Sequence, residues 1–229
     1  SSGLCRMHQR KSKKFLIYFF LLIIISSTNN ISLNNLEFQK VRNIEVSGLN
    51  ETENSLIIDQ IKNLNLNNIF FINKKEINNL MNSNPLIEKY QIFKSYPSAI
   101  KIKIKKTSFI AKINLNNETL VIGSNGKLIP DNLQANDLPY IFGKPQVQEF
   151  LIFKQIIDKS KFSFDEIESL FFFPSKRWDI KLKNNILLKL PNHSTIASLD
   201  YAYEFLEDNN IGKFTTIDIR IDNQIILNE

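Results

Sequence analysis

Side chains that could do nucleophilic or metal chemistry are few in this 229-residue chain and lie far apart. One cysteine, Cys5, cannot form an internal disulfide, and with His8 and His193 it does not complete a four-ligand zinc site. His193 follows a Leu-Pro-Asn sequence that is typical of an exposed turn. The sequence therefore predicts neither a metal ion nor a histidine-based catalytic centre.

Carboxylates offer the next possible chemistry. Asp165, Glu166 and Glu168 could supply a pair for general acid and base catalysis, but nothing in the sequence predicts a cleft around them. The six glycines are scattered and form no phosphate-binding loop. We therefore predict no catalytic residue, no cofactor and no small-molecule substrate.

Charge argues against nucleic-acid binding. The chain has 29 basic and 23 acidic residues, but five of the basic residues lie in the first 14 positions, which contain no acidic residue. The rest of the chain is nearly neutral. Because a phosphate-binding groove needs basic excess in the folded part, we predict no nucleic-acid partner.

An unbroken run of apolar residues follows this basic tail. It consists of Phe15, Leu16, Ile17, Tyr18, Phe19, Phe20, Leu21, Leu22, Ile23, Ile24 and Ile25. Extended to residue 33, the segment would span roughly 28 Å as a helix, close to the hydrocarbon thickness of a bilayer. No Ala-x-Ala cleavage signal follows. The pattern predicts a cytoplasmic tail at 1–14, a single uncleaved signal anchor at 15–33 and an exported remainder, with a cleaved signal peptide as the alternative.

Residues 41–107 are typical of a small α+β domain with the order strand, helix, helix, strand, strand. Ile57, Ile58 and Ile61 have helical spacing. Between positions 100 and 105, isoleucines alternate with lysines, which predicts a strand with one apolar face and one lysine face. The lysine face is interpreted as solvated, although a partner surface is the alternative.

Residues 108–229 predict a larger, strand-rich α+β domain. Asn125-Gly126 lies between two apolar runs and indicates a hairpin, because its turn requires positive φ. Helices are expected at about 146–158 and 195–208. Trp178, Ile180 and Leu182 alternate with polar residues that include Asp179, which predicts a strand. The last strand is expected at 214–221, with a possible continuation at 224–227.

This order of elements resembles the FtsQ/DivIB family of bacterial cell-division proteins, whose first exported module is a POTRA domain. The similarity rests on short motifs in the same order along nearly the whole chain. In the first domain they are NIEVSGL at 43–49, NIFFI at 68–72, PLI at 85–87, SYP at 95–97, IKIKI at 100–104 and FIA at 109–111. In the second they are LPYIFG at 138–143, RWDI at 177–180, LKLP at 188–191 and TIDIR at 216–220.

The resemblance implies a non-enzymatic scaffold of the divisome that links early and late assembly at the septum. It implies a bitopic protein of the inner membrane with periplasmic domains that bind FtsB and FtsL, and it implies binding of other division proteins through the POTRA-like domain as a further expectation. Two alternatives stay open. One is a POTRA protein of outer-membrane assembly or secretion, and the other is a secreted enzyme.

We expect the partner to bind at the end of the chain, because a last strand readily becomes a sheet edge whose backbone accepts another strand. The resemblance implies that FtsB supplies this strand. The predicted contacts are Tyr203, Thr216, Asp218, Arg220, Ile221, Asn223, Gln224, Ile225, Ile226 and Leu227.

Overall fold

The computed structural model describes residues 9–28, 41–64, 66, 69, 72–131, 137–208, 214–221 and 224–228. Helix α1, Gln9–Thr28, contains the apolar run, and every side chain from 15 to 25 is exposed. The helices within the described ranges include none whose length and hydropathy suffice to cross a bilayer. The part of the expected anchor at 29–33 lies outside the described residues.

The chain forms two compact units. The first consists of residues 1–47, 51–77 and 92–102, and the second of residues 48–50, 78–91 and 103–229.

The elements up to residue 106 follow the predicted order of strand, helix, helix, strand, strand. They are β1 (Asn43–Ser47), α2 (Glu51–Lys62), α3 (Lys74–Ser83), β2 (Ile87–Ser95) and β3 (Ala99–Lys106). In α2, acidic residues in the first turn and Lys62 in the last turn complement the helix dipole, while Ile57 and Ile61 are buried. The strands form a sheet in the order β1-β3-β2.

Strand β3 has the predicted alternation. Ile100, Ile102 and Ile104 are buried, whereas the lysines at 101, 103 and 105 are exposed. This confirms the register that the sequence predicts.

A glycine directly follows β1. Gly48 has a φ of +116°, and a Cβ at this position would lie 1.8 Å from the carbonyl oxygen of Ile104. Only glycine tolerates both this conformation and this close approach.

The remaining strands form one nine-stranded sheet in the order β12-β11-β10-β9-β8-β7-β4-β5-β6. They are β4 (Phe109–Leu115), β5 (Glu118–Gly123), β6 (Leu128–Pro130), β7 (Tyr140–Phe142), β8 (Ile167–Phe172), β9 (Trp178–Leu182), β10 (Leu187–Lys189), β11 (Thr216–Asp218) and β12 (Ile226–Asn228). Two helices, α4 (Val147–Lys159) and α5 (Ile196–Asp208), confirm the predicted helices to within one residue at each end.

One row of cross-strand apolar partners forms the centre of this sheet. It runs over seven strands through Ile113, Ile141, Leu170, Ile180, Leu188, Ile217 and Leu227. Helices α4 and α5 bury Phe150, Phe153, Leu199 and Ala202 in the same core, and Phe153 stacks on Trp178 with 4.8 Å between ring centroids. The helices therefore cover this face of the sheet.

The Asn-Gly pair forms the predicted hairpin between β5 and β6. Gly126 has a φ of +76°, and its N–H donates to the carbonyl of Gly123 at 2.9 Å. Strands β5 and β6 pair in antiparallel orientation on either side of this turn.

Candidate functional site

The histidine that sequence analysis considered is exposed. His193 lies before α5 and lines an open depression of about 540 Å³, together with Pro191, Asn192, Thr195, Ser198 and Arg220. Cys5 and His8 lie outside the described residues. Over the described ranges, no three His, Cys, Asp or Glu side chains are grouped so that they could hold a metal ion.

The three carboxylates do not converge. Asp165 and Glu166 lie in an exposed 3₁₀ turn, Phe164–Glu166. Glu168 accepts from Lys181 Nζ at 2.9 Å, which is an ordinary surface ion pair.

The end of the sheet differs from the expectation. Strand β11 covers only Thr216–Asp218, and it pairs with β10 in parallel and with β12 in antiparallel orientation. The prediction that the strand at 214–221 forms the sheet edge is therefore wrong, because the chain turns back after Ile221 and adds β12 outside it. Ile221, which the alternation placed with the buried residues, is 53% exposed.

Hydrogen bonds to β10 establish which way the peptide groups of β11 point. Leu187 N–H donates to the carbonyl of Thr215 at 2.9 Å, and Ile219 N–H donates to the carbonyl of Lys189 at 3.0 Å. Peptide groups along a strand point to alternate sides. The backbone groups of Ile217 therefore face β10, and those of Thr216 and Asp218 face β12. Thr215 departs from this alternation, because its carbonyl accepts from β10 while its N–H donates to the carbonyl of Asn228 in β12 at 3.0 Å.

The same alternation assigns the peptide groups of β12. Thr216 pairs with Asn228 and Asp218 pairs with Ile226, so the backbones of Asn228 and Ile226 face β11. Leu227 lies between them, and its N–H and C=O point outward. In the described part of the chain no strand pairs with β12 on that side. Strand β12 is thus the edge, and Leu227 carries its outward donor and acceptor.

The predicted contact residues lie on both faces of this edge. Tyr203 of α5 and the partly buried Ile225 and Leu227 pack against the core on the helix-covered face. Ile226 is 47% exposed, and Gln224 is also exposed. The predicted contact Asn223 lies outside the described residues.

Two of the predicted contacts bind each other. Arg220 Nε donates to Asp218 Oδ1 at 2.9 Å, Nη2 donates to Oδ2 at 2.5 Å, and the Arg220 backbone N–H donates to Oδ1 at 3.1 Å. The hydrogen bonds from the Arg220 guanidinium lower the pKa of Asp218, and the carboxylate in turn raises the pKa of Arg220. Asp218 is 8% exposed, so it orients Arg220 and presents little surface of its own.

A second pair of this kind was missed in the sequence. Asp179, which alternates with the apolar residues of β9, is 3% exposed. It accepts from Arg177 Nε and Nη2 at 3.1 and 3.2 Å and from Leu190 N–H at 3.1 Å. The two-residue spacing of arginine and aspartate, which places both on one face of a strand, was the available signal.

The pairing register of the strands places the two Asp–Arg ion pairs in one row across the sheet. Lys189 of β10 lies directly between Asp179 of β9 and Asp218 of β11. Positive and negative side chains thus alternate across three strands on the face that the helices leave open. This row favours one register for the short parallel pairing of β10 with β11.

Two family models match the chain. A model described as "POTRA domain, FtsQ-type" matches residues 39–106, and one described as "Cell division protein FtsQ/DivIB, C-terminal" matches residues 111–220. The class is therefore an α+β protein with a POTRA domain before a strand-rich division domain. The chain belongs to the FtsQ/DivIB family of cell-division proteins, and a role in the divisome follows from that membership.

Individual relatives agree with this assignment. The cell division protein FtsQ of Rickettsia bellii is 24% identical over 195 residues, which covers 81% of this chain and 70% of the relative. The cell division protein DivIB of Staphylococcus aureus is 24% identical over 139 residues, which covers 60% of this chain and 32% of the relative. Among solved structures, the major extracytoplasmic domain of DivIB from Geobacillus stearothermophilus is 14% identical, with a TM-score of 0.29, and the match covers 45% of this chain and 96% of that domain.

Proposed function

We propose that this chain is a non-enzymatic scaffold of the divisome and that its edge strand β12 binds a strand from a partner protein. Family membership supports the role in division. The observation that carries the binding mode is the outward N–H and C=O of Leu227. By resemblance to the family, the partner is FtsB, acting with FtsL.

The two edges of the nine-stranded sheet differ in a way that supports this choice. At the opposite edge, β6 contains Pro130, which has no N–H to donate. Beside it, Lys112 and Asp131 form an ion pair at 2.9 Å. Residues 224–228 contain neither proline nor a charged side chain, so β12 lacks the usual protection against strand addition.

Side chains near the edge supply selectivity in this proposal. An added strand continues the pleat, so it places one set of side chains beside Leu227 and Tyr203 on the helix-covered face and the other beside Ile226 on the open face. Arg220, which is hydrogen-bonded to Asp218, lies on the same face of the sheet as Ile226. Apolar or β-branched side chains of the partner strand would pack on both faces of the edge.

The decisive variant is Leu227→Pro. It removes the outward donor and leaves the bonds that Ile226 and Asn228 make to β11. The matched control is Leu227→Ala, which shortens the same partly buried side chain but keeps the N–H. We expect Leu227→Pro to lose capture of the exported segment of an FtsB-type protein in a pull-down, whereas Leu227→Ala keeps most of it.

Proline at Ile226 serves a different purpose. Its peptide group faces β11, so Ile226→Pro disrupts the protein's own ladder and should lower stability as well as binding. Equal capture by wild type and a folded Leu227→Pro protein would show that β12 is not the binding strand.

We further propose that the chain is a single-pass protein of the inner membrane, with its N-terminus in the cytoplasm and its POTRA-like domain (41–107) and strand-rich domain (108–229) in the periplasm at the septum. The supporting observations are the 11 exposed apolar side chains of α1 and the basic residues before them. We expect the chain to stay in the membrane fraction after an alkaline wash and to keep its basic tail by mass spectrometry. A soluble chain that begins near residues 28–35 would contradict the proposal.

The remaining alternatives are tested separately. An enzyme would depend on its few reactive side chains, so His193→Ala and Asp165→Ala should leave growth and division unchanged if the scaffold proposal is correct. Loss of division by a variant that still folds and binds its partner would instead support an enzyme. The other alternative, a POTRA protein of outer-membrane assembly or secretion, predicts an outer-membrane assembly defect rather than a division defect after depletion.

A further inference from the structure

We propose that one end of the three-stranded sheet docks on the anionic phospholipid surface of the membrane that holds α1. The docking surface consists of Arg42, Phe93, Tyr96 and Lys101. The inference rests on the proposed function, because it takes α1 as the anchor of the chain, and it adds a second contact between the chain and the bilayer.

Backbone hydrogen bonds bring the start of β1 to the turn between β2 and β3. Residues 96–98 form that turn. The N–H groups of Arg42 and Asn43 both donate to the carbonyl of Ser98, at 2.8 and 3.3 Å, and the Arg42 side chain is exposed. The chain that comes from α1 therefore enters the sheet beside the β2–β3 turn.

The connection from α1 keeps this end of the sheet within reach of the bilayer. Fourteen residues separate Thr28 from Asn43, and a segment of that length spans at most about 50 Å. A surface tethered at such a distance meets the membrane at a high effective concentration. Weak contacts with the headgroups are therefore sufficient for docking.

Two large aromatic side chains are exposed at this end. Phe93 is 46% exposed and Tyr96 is 59% exposed. Tyr90 lies on the face of the sheet that α3 covers, because its hydroxyl donates to Asn78 Oδ1 at 3.1 Å. Phe93 is three positions further along β2, so alternation places it on the opposite face. Exposed aromatic rings of this kind are typical of the membrane–water interface.

The hairpin that carries these rings is basic. Residues 87–106 contain six lysines and one acidic residue. Lys101 lies near the turn and forms an ion pair with Glu45 at 2.9 Å, but half of its side chain stays exposed. Each lysine or arginine near an anionic membrane strengthens binding about fivefold. This combination of basic and aromatic side chains favours an anionic phospholipid surface over a zwitterionic one.

The first experiment places a fluorescent probe at the turn of the full chain. Tyr96→Trp is reconstituted into vesicles of phosphatidylglycerol and phosphatidylcholine that carries bromine on the upper part of its acyl chains. We expect bromine to quench the introduced indole. The wild type supplies the background, because its Trp178 is buried. An unquenched Tyr96→Trp protein would overturn the inference.

Leu56→Trp is the matched control for this probe. Leu56 lies on α2, outside the docking surface, and is 60% exposed. Its quenching should not exceed that of the wild type. Quenching of Leu56→Trp as strong as that of Tyr96→Trp would mean general adsorption to lipid, and the assigned surface would be wrong.

Lysine acylation tests the charges without any substitution. A water-soluble acylating reagent, read by mass spectrometry, should modify Lys101 more slowly in phosphatidylglycerol-containing vesicles than in pure phosphatidylcholine, and high salt should remove the difference. The exposed Lys144 and Lys183 should react equally in both lipids. Equal acylation of Lys101 in both lipids, or equal protection of the two controls, would contradict docking at this surface.

Inorganic phosphate distinguishes a membrane from a free anion. Phosphate added to phosphatidylcholine vesicles should not protect Lys101. Protection by phosphate alone would indicate a site for a soluble anion, and docking on the membrane would be wrong.

Two further measurements separate this inference from the proposed function. A chain that resists an alkaline wash but shows no quenching of Tyr96→Trp refutes only the inference. A chain that the wash removes, but that still shows quenching and lipid-dependent acylation, refutes only the proposed anchor. Tyr96→Ser should keep capture of the FtsB-type segment, because capture depends on β12. Loss of capture by a folded Tyr96→Ser protein would mean that this surface binds the partner rather than lipid.

Discussion

Buried aspartates stabilise the open face of the nine-stranded sheet only because each has an arginine two residues away. Burying a carboxylate without a partner is costly, and Asp179 and Asp218 are 3% and 8% exposed. Arg177 precedes Asp179 and Arg220 follows Asp218, and β9 and β11 run in opposite directions. Both arginines therefore bind their aspartates from the same end of the sheet. In the proposed binding mode, Asp218 therefore acts through the position of Arg220.

The Asp218 pair has a pH-dependent consequence. Because the folded state lowers the pKa of Asp218, its carboxylate stabilises the fold above the unfolded pKa of about 3.9, and that stability is lost as the pH falls through the lowered pKa. We expect Asp218→Asn to cost about 1–2 kcal/mol at pH 7. The value is small because the Arg220 side chain is 46% exposed. Urea unfolding at pH 7 and pH 3 should show a smaller difference from wild type at pH 3.

The exposed Glu166 supplies the control for this measurement. Glu166→Gln should unfold like wild type at both pH values. An Asp218→Asn deficit that is equal at pH 7 and pH 3 would contradict the ionic origin of the stabilisation.

Strand β3 is the element whose register follows most directly from its residues. Its isoleucines are buried and its lysines exposed, so each face has one chemical character. A shift by one residue would bury three lysines, and such a shift is strongly disfavoured. The outward face is therefore free to change without affecting the core.

We expect Lys105→Glu to change the free energy of unfolding by less than about 0.5 kcal/mol, since the side chain is exposed. Ile102→Ala, on the same strand and 1% exposed, should cost about 2–5 kcal/mol through the cavity it leaves. Chemical denaturation of both variants tests the pair. A Lys105→Glu protein as unstable as Ile102→Ala would mean that the register is shifted by one residue.

At the scale of the whole molecule, the edge of the large sheet is made by residues distant in sequence. Strand β10 precedes α5, yet it pairs with β11, which follows that helix. Strand β12 then adds outside β11 and completes the order β12-β11-β10. Removal of this last strand therefore takes one member, Leu227, from the end of the central apolar row and leaves the other six paired with one another.

We expect deletion of residues 222–229 to leave a folded protein that no longer captures its partner. Ile225 and Leu227 are only partly buried, and the other six members of the apolar row remain in place. Circular dichroism should show a cooperative thermal transition at a somewhat lower temperature, and a pull-down should show loss of the FtsB-type segment. Full capture by the folded, truncated chain would refute binding at β12.

Local patterns determined much of this fold. Helical spacing predicted α2, α4 and α5, alternation predicted β3, and Asn125-Gly126 predicted the β5–β6 turn. Each of these signals depends on neighbours within a few residues, so it can be recognised from the sequence alone. The order of motifs was likewise sufficient to identify the family that the two models match.

Tertiary structure alone decided which strand is the edge and which aspartates are buried. The residues at 214–221 alternate as an edge strand would, but only pairing with β10 and β12 shows that β11 is internal. Asp179 has a polar side chain at a position that local alternation assigns to solvent, and Arg177 and the Leu190 N–H make its burial possible. Both outcomes depend on contacts between residues far apart in the chain, and a pattern with a period of two carries no information about them.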